Sequence, residues 1–281
     1  MGRHQALVAA VAQNSAETTV PFALDCEKRL ESLGGWKSRG IRFASSGVRV
    51  TERFRLPNSR CSVTVLDDVL EKETCKALNE LHEEVGFAPV PSLLVHLAKR
   101  LEHEGEAEEI LKRAYEQGKN ASELVQLESS ELANYLWQKL RDYLPDEHED
   151  RSHFTGGLYE KCGIIPVFRF MRYQKGQGFK PHHDPSRDYV EYEGSRGIFK
   201  SFFTVALYLN DQEEFQGGEL NFVRMQLEEG RKSYESQASV NPKVGRCVLF
   251  NHKELHEGGG VEAGTKYMCQ CDVLYKRVAD L

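Results

Sequence analysis

No apolar run in this 281-residue chain approaches the roughly 18 residues that a membrane-spanning helix needs, so a helical membrane anchor is not expected. No CxxC pair occurs among the seven cysteines (Cys26, Cys61, Cys75, Cys162, Cys247, Cys269 and Cys271), and their odd number and scattered spacing argue against a zinc ribbon or a disulfide framework. Reduced thiols in a cytosolic or nuclear compartment fit that usage. Positive charge is not in excess either. The 37 Lys and Arg against 43 Asp and Glu give a formal charge of −6, which leaves no broad basic surface to grip nucleic-acid phosphates. The opening MGRHQALVAAVAQNS has a single arginine and a short apolar run, Ala6 to Ala12, a poor secretory signal. Ala6 stands where an N-myristoylation signal requires Ser or Thr. Internal repeats are absent.

What is present is ordinary globular composition, 40% hydrophobic and 28% charged, long enough for one catalytic domain with an extension. Residues 1–58 show no sustained period and are expected to be a partly ordered N-terminal extension; residues 59–281 form the expected domain. CSVTVLDDVL reads as a β-branched strand. In EKETCKALNELHEEVGF, Cys75, Leu78, Leu81 and Val85 fall on one helical face, and Gly86 stops the helix. Two further helical segments are expected between Ser92 and about Gly118, broken at Gly105. SSELANYLWQKLRDYLP predicts a helix with Ser130 as N-cap, Leu132, Leu136 and Leu140 in one stripe, and Pro145 after its end. Beyond Pro166 the period changes to two: VFRFMRY, SFFTVALYL, ELNFV, RCVLF and KYMCQCDVLYKR read as strands between Gly, Asn and Pro turns. Helices first and antiparallel strands second is an α+β pattern, in which helices buttress a sheet or barrel.

The chemistry sits in YQKGQGFKPHHDPSR. In an extended segment residues two apart share a face, so His182 and Asp184 can aim at one point while His183 aims away. A distant strand must supply any third ligand, and FNHKELHEGGGVEAGTKY offers His252 and His256. The i, i+4 spacing of that pair is also seen in helical zinc sites, but the strand-like RCVLF before it and the GGG after it deny the pair a helix. Two histidines and one carboxylate on one face of a metal leave positions open, which suits non-haem Fe(II) oxygenase chemistry. An HxD tripeptide by itself is more commonly a surface pair.

The joint pattern is more specific. YQKGQGFKPHHD, FTVALYLND with FQGGELNF, and PKVGRCVLFNHKELHEGGGVEAGTKY together resemble the prolyl 4-hydroxylase-like branch of the Fe(II)/2-oxoglutarate dioxygenases. The resemblance covers most of residues 61–277, is clear from 166 onward, and leaves the N-terminal segment unmatched. It implies a double-stranded β-helix, or jelly-roll, core. It also implies Fe(II), 2-oxoglutarate and O2 as cofactor and cosubstrates, with ascorbate as an auxiliary that such enzymes can use. His182, Asp184 and His256 match its iron ligands, and Lys266 matches the basic residue that binds the distal carboxylate of 2-oxoglutarate. Tyr173 matches a tyrosine that can hydrogen bond to the cosubstrate, although a buried core tyrosine fits as well. Thr204 and Gln270 are further expected cosubstrate contacts, Gln270 standing where the family group often has Arg. His252, four residues before the ligand, is expected to hydrogen bond near the site.

Strand alternation adds positions that the resemblance does not. Arg169 and Met171 share the face of Tyr173, and Met268 and Gln270 share the face of Lys266, so all are candidates for the interior. An inward Arg169 needs an anion or acceptor, which makes it a candidate substrate contact; a charge at the barrel rim is the alternative. Residues 185–201 suit either a lid or a plain connecting loop. The expected activity is hydroxylation of an unactivated C–H bond, with a protein side chain as substrate by family analogy. A free amino acid or other small metabolite is the alternative, and a catalytically silent binding module on the same fold is the rival from another class. A monomer or weak dimer without a membrane partner is expected.

Overall fold

The computed structural model describes residues 41, 43, 47–57, 59–89, 122–152, 155–228 and 231–279. The helices expected between 92 and 118, and most of the extension, lie outside them. Three sheets organise the described chain. The large one has the order β1 (Arg49–Arg55), β2 (Ser62–Asp67), β14 (Cys247–Asn251), β10 (Ser195–Tyr208), β17 (Lys266–Ala279), β7 (Val167–Tyr173), β4 (Glu123–Glu128) and β3 (Ala88–Pro89). Beside this path, β6 (Gly157–Ile164) pairs with β17, β5 (Glu147–Asp150) with β6, and β9 (Asp188–Tyr192) with β10. The smaller sheet has the order β13 (Arg231–Val240), β12 (Leu220–Glu228), β15 (His256–Gly258) and β8 (Phe179–His182). The short strands β11 (Phe215–Gly217) and β16 (Val261–Gly264) pair separately.

This is a jelly-roll arrangement of two facing sheets, with helices covering one outer face. Alternation along β10 shows the layering. Phe203, Val205 and Leu207 join one buried cluster with Leu78 and Leu81 of α1 (Lys72–Val85) and Leu132 and Leu136 of α2 (Ser130–Leu140). Ala206 and Tyr208 point the other way and pack with Leu220 and Phe222 of the smaller sheet. The helices thus buttress the large sheet from outside, and the space between the sheets is left for the site. Leu132 and Leu136 are fully buried there; truncating either to Ala should cost about 2–5 kcal/mol.

Several elements differ from the sequence reading. Ser129, not Ser130, caps α2: its Oγ accepts from the Leu132 backbone N–H at 3.1 Å, satisfying one of the unpaired amides of the first turn. Residues 49–55, assigned to the extension by their lack of an apolar period, form edge strand β1, antiparallel to β2. A strand with one solvated face and many charges carries little periodic signal. Strands β4, β5, β6 and β9 were likewise not anticipated. Residues 185–201 are mostly strand, in the β9–β10 hairpin turning at Glu193 and Gly194.

Candidate metal centre and active site

His182 ends β8 and His256 begins β15, and the two are directly paired across these antiparallel strands, with ring centroids 4.3 Å apart. Each ring is fixed by its own backbone. Nδ1 of His182 lies 2.8 Å from the Lys180 carbonyl, and Nδ1 of His256 lies 2.9 Å from the Glu254 carbonyl. A carbonyl can only accept, so each Nδ1 carries the proton and each Nε2 lone pair is left to bind a metal. Both Nε2 atoms face Asp184, at 3.5 Å from Oδ1 for His182 and 3.8 Å from Oδ2 for His256. The ligand atoms of the three residues lie within 4.8 Å of one another. His183 is exposed, as strand alternation requires.

The electrostatics match a divalent cation. Burial lowers the His256 imidazole to about 4, so it is neutral, the form a metal ligand needs. Burial works against the charge of Asp184, but its contacts with His182, His256 and Thr204 and the positive charge of Arg169 outweigh it and hold the carboxyl well below the usual carboxylate range. Two imidazoles and one carboxylate on one side of the cavity are the donor set of a facial triad, with open positions for ligands.

A cavity of about 240 Å³ runs from this triad between the sheets. The inward face of β17 orders its wall: Lys266, Met268 and Gln270 line it at alternate positions, and facing them on β7 are Tyr173, Met171 and Arg169. Lys266 is buried at one end. Its Nζ donates to the Gly218 carbonyl at 2.6 Å and lies 5.3 Å from the ring centroids of both Tyr173 and Tyr208. None of these carries a negative charge, and burial pulls the ammonium down to about 8. Glu219 acts on it only at a distance, and a buried cation with no carboxylate in salt-bridge contact among the described residues suits the far carboxylate of a dicarboxylate ligand. Gly218 makes room for it: at φ 74 its own Cβ would sit 2.9 Å from Lys266 Cδ.

Residues 168–271 match the family model described as the 2OG-Fe(II) oxygenase superfamily. That segment carries His182, Asp184, His256 and Lys266 and is similar to the 2OG-Fe(II) oxygenases. Among solved structures the chain is similar to a viral collagen prolyl hydroxylase from Paramecium Bursaria Chlorella virus-1, at 18% identity and TM-score 0.44, covering 76% of this chain and 96% of that one. It is also similar to a prolyl-4-hydroxylase from Pseudomonas putida, at 16% identity and TM-score 0.39, covering 77% and 92%. A Trichoplax adhaerens prolyl hydroxylase, in complex with a hypoxia inducible factor peptide fragment, matches at 18% identity and TM-score 0.34, covering 57% and 64%. No curated protein matches the chain in sequence.

The structure redistributes the remaining expected site residues. Thr204 and Gln270 line the cavity but spend their polar atoms on the metal ligand: Thr204 Oγ1 donates to Asp184 Oδ2 at 2.5 Å and Gln270 Nε2 at 3.2 Å. Two strands of the large sheet thus orient the carboxylate, the role that outer partners of metal ligands commonly have. Tyr173 is buried, with its hydroxyl 3.4 Å from Met171 Sδ; burial raises it to about 12, so it stays a phenol beside Lys266. His252 contributes first through its backbone, whose carbonyl accepts from the Asp184 N–H at 3.1 Å. Its buried ring lies with Nε2 3.6 Å from Asp272 Oδ1, too long for a hydrogen bond.

Arg169 is inward, and the anion it needs is Asp272, 3.2 Å away. Asp272 also lies 3.7 Å from Arg187, which follows the HxD motif. Asp272, Arg187, Gly218 and Tyr208 escaped the sequence reading. One more step of the alternation that yields Lys266, Met268 and Gln270 reaches Asp272; the other three had no local signal.

Proposed function

We propose that this domain hydroxylates an unactivated C–H bond of an amino-acid side chain in a protein or peptide, forming succinate and CO2 from 2-oxoglutarate and O2. One oxygen atom of O2 enters the substrate as a hydroxyl and the other enters succinate, so the equation balances without a further reductant. The observation that carries the reaction is the triad of His182, Asp184 and His256, with both Nε2 lone pairs turned toward one point and unpaired Lys266 in the same cavity. Iron, when bound there, supplies the oxidising chemistry. The residues of this chain hold and orient: Lys266 would bind the far carboxylate of the cosubstrate, Thr204 and Gln270 fix Asp184, and the apolar walls at Met171, Met268 and Phe250 limit water.

The protein or peptide substrate rests on the motif resemblance to prolyl 4-hydroxylases. A free amino acid or other small metabolite is the second reading, favoured by the charged Arg169–Asp272 end of the cavity. The free thiols of Cys61, Cys75, Cys162, Cys247, Cys269 and Cys271 support a cytosolic or nuclear setting.

Anaerobic protein with Fe(II) and 2-oxoglutarate should show a weak visible metal-to-ligand absorption band. Its absence from iron-loaded protein would refute the reaction. Adding O2 and a fractionated cell extract should then yield succinate together with a mass gain of one oxygen atom on a protein or peptide. Stimulation by the low-molecular-weight filtrate alone would replace the first substrate reading with the second.

A further inference from the structure

Resting on the reaction assigned above, we propose that Arg169, held by Asp272, is the specificity-determining residue for the primary substrate, and that it selects a substrate carrying a carboxylate near the oxidised carbon. Gln270 and Lys266 lie four residues apart on one face of β17, and Arg169 stands opposite Gln270 as Tyr173 stands opposite Lys266. At about 3.3 Å per residue, the Lys266 and Arg169 ends are about 13 Å apart along the strands. Asp184 contacts Gln270 at the Arg169 end. A cosubstrate reaching from Lys266 to the triad spans this line, and Arg169 lines the cavity at the triad's end, where a substrate must meet the oxidant.

Arg169 has capacity left to bind. Its Nη2 donates to Asp272, but its buried Nε has no hydrogen-bond partner among the described residues. Asp272 is shared with Arg187, so two guanidiniums face one carboxylate. Such a grouping is poorly explained by stability alone, since a half-buried ion pair contributes little net and a second half-buried cation on the same carboxylate adds repulsion. The charge count points the same way. Taking Fe(II), the 2-oxoglutarate dianion, Lys266, Arg169, Arg187, Asp184 and Asp272 together, and leaving histidines aside, the loaded site retains one positive charge. A monoanion neutralises it, whereas a phosphate dianion would reverse it. The planar fork of an arginine matches a carboxylate in two parallel hydrogen bonds.

The test uses the full chain loaded with Fe(II) and 2-oxoglutarate without O2, titrated calorimetrically with L-amino acids and N-capped dipeptides, each as the free acid and as its carboxamide. At least one acid should bind roughly tenfold or more tighter than its amide, as expected for a charge-assisted hydrogen bond. In Arg169→Lys, which keeps a cation beside Asp272 and loses the fork, most of that preference should vanish while 2-oxoglutarate affinity stays within about twofold. On admitting O2, the preferred acid should gain one oxygen atom. A panel in which no acid outperforms its amide, silence included, overturns the proposal, as does a preference that survives Arg169→Lys. Loss of the anaerobic absorption band would instead refute the underlying reaction, so the two failures are distinguishable.

Discussion

The two ends of the cavity hold cations under opposite conditions, Lys266 buried and Arg169 half-buried. Lys266 has two aromatic rings and a carbonyl for company and no carboxylate in contact. Arg169 has Asp272 at 3.2 Å. The first is therefore a charge kept waiting for a ligand, and its folding cost is visible in the pull from 10.5 to about 8. By the usual conversion this is roughly 3 kcal/mol at neutral pH. The second is already partly neutralised and contributes to holding β7, β17 and the segment after Asp184 together. Binding strength and stability should thus respond in opposite ways when the two ends are altered.

The proposed metal ligands set the scale. Asp184→Ala or His182→Ala should abolish succinate formation, whereas His183→Ala should retain most of it; equal loss in all three would break the ligand assignment. Lys266→Met should weaken 2-oxoglutarate binding by about a hundredfold or more, because losing one partner of a buried charge pair costs about 2–5 kcal/mol. The same variant should melt no lower than wild type, since an unpaired buried cation has gone. Asp272→Asn should do the reverse: Tm falls by roughly 6–12 °C as Arg169 and Arg187 lose their counterion, with little change in 2-oxoglutarate affinity. If both variants lower Tm alike, the contrast between the ends is wrong.

pH sharpens the comparison further. Lys266 in the ligand-free site loses its proton above about pH 8, so 2-oxoglutarate affinity, followed by the anaerobic absorption band, should fall about tenfold per pH unit beyond that point. Lys266→Arg should flatten the fall, because a guanidinium stays charged throughout. For stability the sign is opposite: the depressed pKa favours the folded state as pH rises from about 8 toward 10.5, the window in which the unfolded chain still binds the proton. The smallest effect is expected at Thr204→Val, which leaves Gln270 as the remaining donor to Asp184 Oδ2 and should weaken Fe(II) binding by about tenfold.

That His182 and Asp184 face one point needed only the two-residue period of a strand, and the helices over Lys72–Val85 and Ser130–Leu140 needed only their apolar stripes. Gln270 was recognisable as an inward position and Thr204 as a candidate cosubstrate contact, but neither as a partner of Asp184, because the same face of a strand can meet a cosubstrate or another side chain depending on what folds against it. Strand β1 was missed for the opposite reason: its residues are mostly exposed, so pairing with β2 rather than burial makes it a strand.

By itself, then, the sequence determined which side chains point inward together, since alternation is a local property of the backbone: His182 with Asp184, and Lys266 with Met268 and Gln270. Only the tertiary structure decided that His182 pairs with His256 across β8 and β15, that Asp184 is clamped from β10 and β17, and that Asp272 rather than a ligand already occupies part of Arg169. These are contacts between residues far apart along the chain, and no local period encodes the distance between two strands that must first find each other.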